Sequence, residues 1–388
     1  PGQMLGLRAA VDRLDAAIAR QEPILIYGDY DVDGTMAVII LKTAIELCGG
    51  AAEFHVPHRI REGYDMRGDV IERAAAAGIR LIISVDMGIR AFAPAETARR
   101  LGVDLIVTDH HLPGPDGVPK ALAVVNPNQA GCPYPYKQLC GAGVAFKVAQ
   151  GLMQRRLKEK DAKDQNRLLL SFMKVVAIAT IADAVPLTGE NRVFAALGLE
   201  ALRRAVNPGL KALLEAAQIS LQRPPTAGEV GFRIAPRINA AGRMDIAQDV
   251  VELFCCNNAA RARAIALKLN QLNADRQQEE QRIVEEACAR IGDVRWSTAL
   301  DQFRGFATED ARVLTFEEPM MPTYRARITG SAKLDDADVR DVGLPLQIGT
   351  TVNRHTLADL PKMAEGHLLS DLIAINASVD IVMGEIDR

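Results

Sequence analysis

The stretch that decides the fold is 23-PILIYGDYDVDG-34. Its apolar run is short, uncharged, and stops at an acidic turn closed by Gly34, the pattern of a buried strand emptying into a loop. The following segment, 36-MAVIILKTAIEL-47, has helical length and is closed by Gly49 and Gly50. The unit then repeats. Residues 52–57 suit a strand and 68–77 a helix ending near Gly78. The run 80-RLIISV-85 stops at 86-DMGI-89, a helix follows over 92–101, and 103-VDLIVT-108 stops at 109-DHH-111. A last run, 121-ALAVV-125, precedes Asn126 and Pro127, and a helix over 7–20 precedes everything. Strands alternating with helices at this spacing predict an α/β fold built on a doubly wound, mostly parallel sheet.

From residue 140 helical periodicity dominates. Helices are expected over 141–157 and 166–182, with two more inside 190–217. The Pro- and Gly-rich segment 222–244 reads as a loop. Residues 247–291 read as one or two long helices, and 259–291 contain neither Pro nor Gly, which suits a linker helix. The last hundred residues change to short alternating runs (312–316, 324–329, 346–352), predicting a smaller α+β or β-rich module. The expected division is 1–246, 247–291 and 292–388. Were the last module to close over a site, Arg325, Arg327, Lys333, Arg354 or Lys362 would be its basic groups.

The composition is globular, with 388 residues, 48% hydrophobic and 24% charged. A chain this long buries enough core to fold without disulfides or a structural metal, so any metal site is expected to be functional. Six cysteines, at 48, 132, 140, 255, 256 and 288, form no CxxC pair, which argues against a zinc knuckle. With no signal peptide and no apolar run of membrane length, the reading is a reduced, cytoplasmic protein away from membranes. Because the chain opens at Pro1 without Met, residues upstream are expected. A net charge of -3 does not advertise a nucleic-acid partner, nor does it exclude one, since a carboxylate site lowers the sum.

The chemistry gathers at strand ends. The first strand leads into Asp29, Asp31 and Asp33, the next into Asp86, and the third into Asp109, His110 and His111. In open parallel sheets ligands bind beyond the carboxyl ends of the strands, so these residues should meet. Carboxylates with imidazole suit Mn²⁺ or Mg²⁺, and two ions would make a phosphoryl-transfer site. Each residue has a plainer reading: an Asp at a strand end can cap a helix, Asp33 before Gly34 can be turn chemistry, and an adjacent His pair can be surface loop. Asp183, in 178-IATIADAVPL-187, sits at an apolar helix end and needs a metal, a basic partner or a cap to be buried.

Taken in order, GDYDVDG, SVDMGI, TDHH and ATIADAVPL resemble the four motifs of the DHH phosphoesterases, in the variant of the RecJ exonucleases, where Asp29 stands in place of a His. The similarity extends through 139-LCGAGVAFKVAQGL-152 and 234-IAPRINAAGRMD-245 and covers roughly residues 7–290. It implies that Asp31, Asp33, Asp86, His110 and Asp183 are metal ligands, with Asp86 bridging two ions. By the same resemblance Asp29 supports the metal set, Asp109 supports the histidines, and His111 lies near the scissile phosphate. Arg237, Asn239 and Arg243 match a substrate loop, where guanidinium would bind phosphate; Arg243 could instead pair with Asp245.

The function implied is 5′-to-3′ exonuclease action on single-stranded DNA in repair and recombination, with a single-strand-binding protein or a helicase as partner. The family's usual second domain, with its GGHxxAxG signature, is not recognisable after residue 292. Two alternatives stay open: a small-substrate phosphodiesterase acting on oligoribonucleotides, cyclic dinucleotides or pyrophosphate, and a non-catalytic nucleic-acid-binding or replication scaffold.

Overall fold

The structure, a computed structural model, describes residues 1–57, 63, 65–204, 207–243 and 247–305, together with five short strands further on. Contacts divide the chain into two units, Pro1–Glu279 and Glu280–Arg388.

The first unit begins α1 (Leu7–Ala19), β1 (Ile24–Gly28), α2 (Val32–Leu47), β2 (Ala52–His55), α3 (Gly68–Ala76), β3 (Leu81–Val85), α4 (Phe92–Arg100), β4 (Asp104–Thr108) and β5 (Ala123–Val125). All five strands are parallel, in the order β2-β1-β3-β4-β5. Alternate side chains take opposite faces. Ile24, Ile26, Leu81, Ile83 and Ile106 join the core containing α1 and α2, while Leu25, Tyr27, Ile82, Leu105 and Val107 join the one containing α3 and α4. Burial on both faces is why these strands read as continuous apolar runs. Each large aliphatic buried this way contributes about 1.5–3 kcal/mol. Helix α2 is buried around most of its circumference, from Val32 to Leu41, which explains why its sequence lacks a polar face. The strand order reverses between β1 and β3, so their following helices, α2 and α4, leave on opposite faces and open a crevice at the strand ends.

Helices complete the unit: α5 (Gly141–Arg156), α6 (Ala162–Ala182), α7 (Gly189–Leu202) and α8 (Pro208–Ala216). Helix α6 qualifies the expectation that no run reaches membrane length. Its 21 residues include a window of mean hydropathy 1.2, 39% of it buried. Its second half, from Phe172 to Thr180, is where the burial concentrates, and α6 packs on α2, α5 and α7.

The expected loop at 222–244 is a correction, because most of it is helical. Helix α9 (Ala227–Glu229), a π turn (Val230–Ile234) and α10 (Ala235–Arg243) run on without a break. A capping box starts them: the Thr226 hydroxyl accepts from Glu229 N, and the Glu229 carboxylate accepts from Thr226 N. Proline inside a helix has no N–H to give and presses on the carbonyl four residues back. The wider π turn lies immediately ahead of Pro236 and absorbs that conflict. Composition alone misleads here because the cap and the π turn offset the proline.

The remaining helices are α11 (Ala247–Cys255) and α12 (Ala259–Gly305). Helix α12 begins at Ala259, where the stretch free of Pro and Gly begins, and runs to Gly305, and the division between units falls within it. The second unit contains β6 (Val313–Phe316), β7 (Tyr324–Thr329), β8 (Leu346–Ile348), β9 (Asn353–His355) and β10 (Ala374–Ile375). These pair antiparallel as β10-β7-β6 and β8-β9. The side chains of the basic residues expected there lie outside the described residues.

Candidate metal centre

The three strand ends converge at the crevice between β1 and β3. His110 is the hub: its Nε2 lies 3.3 Å from Asp86 Oδ1 and 3.8 Å from both Asp33 Oδ2 and Asp183 Oδ2. Three donor sets bring their ligand atoms within 4.8 Å of one another: Asp86, His110 and His111; Asp33, His110 and Asp183; Asp29, Asp31 and Asp86. Asp86 and His110 each belong to two sets, so the residues suit a pair of neighbouring cations better than one.

Each carboxylate is placed by its element. Asp31 is the N-cap of α2, its Oδ1 accepting from Gly34 N at 2.8 Å. The capping reading is thus correct as far as it goes, and it leaves Oδ2 without a capping role. Asp29 Oδ1 accepts from Tyr30 N at 2.7 Å. Asp33 is held by α5, which packs against α2, with Gly141 N donating to Oδ2 at 2.5 Å and Ala142 N to Oδ1 at 2.8 Å. These are first-turn amides of α5, so the positive end of that helix faces the acids. Asp86 follows β3 with φ of 60°, in the left-handed region. A non-glycine residue held there costs energy and is common at functional sites. Asp183 ends α6 as its C-cap.

Charge without partners defines the electrostatics. Asp86 is 2% exposed, and burial, then the charges of Asp33 and Asp31, hold its carboxyl well above the usual range. Burial and Asp31 raise Asp29 to about 7, burial and Asp33 raise Asp31 to about 6, and burial with Asp33 raises Asp183 to about 8. Burial lowers His110. Among the few buried side-chain atoms lacking any hydrogen-bond partner are Asp86 Oδ1, His110 Nε2 and Asp183 Oδ2. Three such atoms facing one another are costly unless a cation sits among them. The donor chemistry, hard oxygens with borderline nitrogen, fits divalent manganese or magnesium.

The two histidines are separated by their surroundings. Asp109 is buried and accepts from Ile89 N, His110 N, His111 N and His111 Nδ1, the last at 2.7 Å. Burial alone would raise its carboxyl, but these bonds outweigh it and hold the pKa below the usual value. The same side-chain bond raises His111, whose ring is 46% exposed. His110 is thus held toward its neutral form and His111 toward its protonated form.

Several contributors escape sequence reading. Asn126 and Asn128 fasten the histidine loop, donating to His111 O at 2.9 Å and His110 O at 2.6 Å. The only sequence signal is the Asn-Pro-Asn turn after β5. Gly141 is required by space, since a Cβ there would lie 2.2 Å from Asp86 Oδ1.

The residues matched to a substrate loop make bonds within the protein. Asn239 Oδ1 accepts from Val32 N at 3.1 Å, bracing the first acidic turn. Gly242 packs so closely on Tyr30 that a Cβ would lie 2.2 Å from its carbonyl oxygen. Arg237 donates through Nε to Asn270 Oδ1 and through Nη1 to Arg233 O. Asn239 thus stands beside the turn that carries Asp31 and Asp33, and the Arg243 side chain and Asp245 lie outside the described residues.

Comparison with known proteins extends this geometry. Residues 23–180 match the model of the DHH family, N-terminal domain, and residues 351–388 match that of the respiratory-chain NADH dehydrogenase 49 Kd subunit. The single-stranded-DNA-specific exonuclease RecJ of Bacillus subtilis is 40% identical over 293 residues, 75% of this chain and 35% of that protein. The Escherichia coli RecJ is 38% identical over 285 residues, 72% of this chain and 49% of that protein. A crystal structure of RecJ bound to manganese superposes with a TM-score of 0.66 at 35% identity, covering 73% of this chain and 69% of that one. The chain therefore spans between a third and a half of the length of these curated relatives.

Proposed function

The chain belongs to the DHH family, and from that premise we propose that it is a cytoplasmic, metal-dependent phosphodiesterase degrading single-stranded DNA from a 5′ end, in DNA repair and recombination. The observation carrying this reading is the trio of buried, unpartnered atoms Asp86 Oδ1, His110 Nε2 and Asp183 Oδ2. The relatives named as single-stranded-DNA-specific exonucleases support the choice of substrate.

Asp29, Asp31, Asp33, Asp86, His110 and Asp183 would hold two manganese or magnesium ions, with Asp86 shared. When bound, the two cations neutralise phosphoryl charge and activate a water nucleophile. The protein's own part is to orient and to move protons. Asp109 fixes the His111 ring and keeps it protonated to higher pH, which suits it to donate to the leaving oxygen. The amides of Gly141 and Ala142 pin both Asp33 oxygens and so orient that carboxylate. A single-strand-binding protein or a helicase would supply the strand.

The test is degradation of 5′-labelled single-stranded DNA with and without Mn²⁺, beside duplex DNA, RNA and dinucleotides. Mononucleotide release from single-stranded DNA that stops with chelator is expected. Turnover confined to dinucleotides would move the chain to the small-substrate reading, and metal binding without turnover to the scaffold reading.

A further inference from the structure

The two most exposed large apolar side chains among the described residues lie on the histidine loop and on the helical run that carries Asn239. Leu112, 67% exposed, directly follows His111, and Phe232, 73% exposed, rises from the π turn. Phenylalanine is scarce in this chain, and scattered apolar exposure needs no explanation by itself. The placement of Phe232 does.

Its neighbour Gly231 packs toward Ile181, two residues before Asp183, with 3.9 Å between a built Cβ and the Ile181 side chain. The turn therefore lies against the end of α6 that carries Asp183. Asn239, seven residues on from Phe232 in the same unbroken helical run, bonds the backbone of Val32 between Asp31 and Asp33. At about 1.5 Å per residue, Phe232 stands about 10 Å along the helix from Asn239. That is about three nucleotides of stacked strand at about 3.4 Å each.

The adjacent arginines do not compete for this role. Arg233 donates to Gln218 O, and Arg237 is committed to Asn270 and Arg233 O. What the π turn offers outward is an aromatic face, which suits a base rather than a phosphate. We propose that Phe232 is a stacking platform for a nucleobase of the strand whose phosphate is held at the acidic centre.

This proposal rests on the single-stranded-DNA reading and adds to it the means of selecting single strands. Every base has a π face, so stacking is tolerant of sequence, while paired bases in a duplex already stack on their neighbours and cannot lend theirs.

The test compares wild type, Phe232→Ala and Phe232→Trp in Mn²⁺. It measures affinity for a labelled single-stranded oligonucleotide with slowly cleaved phosphorothioate linkages. Alanine should weaken binding about five- to hundredfold, the span of measured base–aromatic stacking, and tryptophan should restore it. On an oligonucleotide of abasic sugars the three proteins should bind alike. Unchanged binding by Phe232→Ala overturns the platform alone. An equal loss on the abasic strand, or a lowered melting temperature, also overturns it and makes Phe232 a structural residue. A wild type that binds no single-stranded DNA overturns the substrate reading and this proposal together.

Discussion

Asp86 tests whether the acids are gathered for their own stability or for a cation. Replacing it with Asn removes one buried charge from a repelling group while keeping its shape. We expect the metal-free melting temperature of Asp86→Asn to hold level or rise, and hydrolysis to vanish. Wild type should gain stability from Mn²⁺, about 2.7 kcal/mol at a hundredfold excess over its dissociation constant, and the variant should not. Equal Mn²⁺ stabilisation of both would remove Asp86 from the ligand set. Gly141→Ala probes the same spot through volume. Its Cβ would meet Asp86 Oδ1 at 2.2 Å, whereas a Cβ at Gly143 would meet Leu139 at an ordinary 3.4 Å. Overpacking of this kind costs about 1–3 kcal/mol, so Gly141→Ala should lose roughly ten- to a hundredfold in turnover while Gly143→Ala stays near wild type. Similar rates for the two would refute the close approach of α5.

At the scale of elements, the continuous helical stretch from α9 to α10 acts as a brace on the first acidic turn. Asn239→Ala strands Val32 N, a loss of about 1–3 kcal/mol for a buried donor. Weaker Mn²⁺ affinity should accompany it, read by titration against the melting temperature, since Asp31 and Asp33 flank that amide. Full Mn²⁺ affinity in a destabilised variant would reduce Asn239 to packing. The brace depends on its first turn. Thr226→Ala removes the cap and should cost about 1 kcal/mol. Glu229 adds a pH dependence. Its hydrogen bonds, from Arg223 first and then Thr226, hold its carboxyl at about 2. A pKa depressed on folding stabilises above the unfolded value, about 4.3, and the gain disappears as pH falls toward 2. Melting curves from pH 5 to 2 should therefore fall less steeply for Arg223→Ala than for wild type.

At the scale of the molecule, the compact first unit extends to Glu279. Ending the chain at residue 291 should leave the Mn²⁺-induced rise in melting temperature intact, because every donor in the cluster lies before residue 184. If that rise disappears, residues beyond 291 contribute to the centre.

What the sequence by itself determined is what local signals carry. Apolar runs stopped by Asp or Gly mark the parallel strands, because a strand buried on both faces has no polar side to blur its ends. Asp29, Asp86 and Asp109 at those ends follow from where such sheets bind ligands, and the order of motifs is enough for the family. Only tertiary structure decided what steadies the acids. The amide of Gly141 reaches Asp33 across 108 residues of chain and Asn239 reaches Val32 across 207, separations over which no periodicity or turn signal carries information. The bonds of Arg237 to Asn270 and to Arg233 O are equally illegible in the sequence, because a donor side chain reads the same whatever it faces. Whether a Pro- and Gly-rich stretch is loop or helix likewise rests on a cap, a π turn and the core they pack against, since weak local propensity yields to burial.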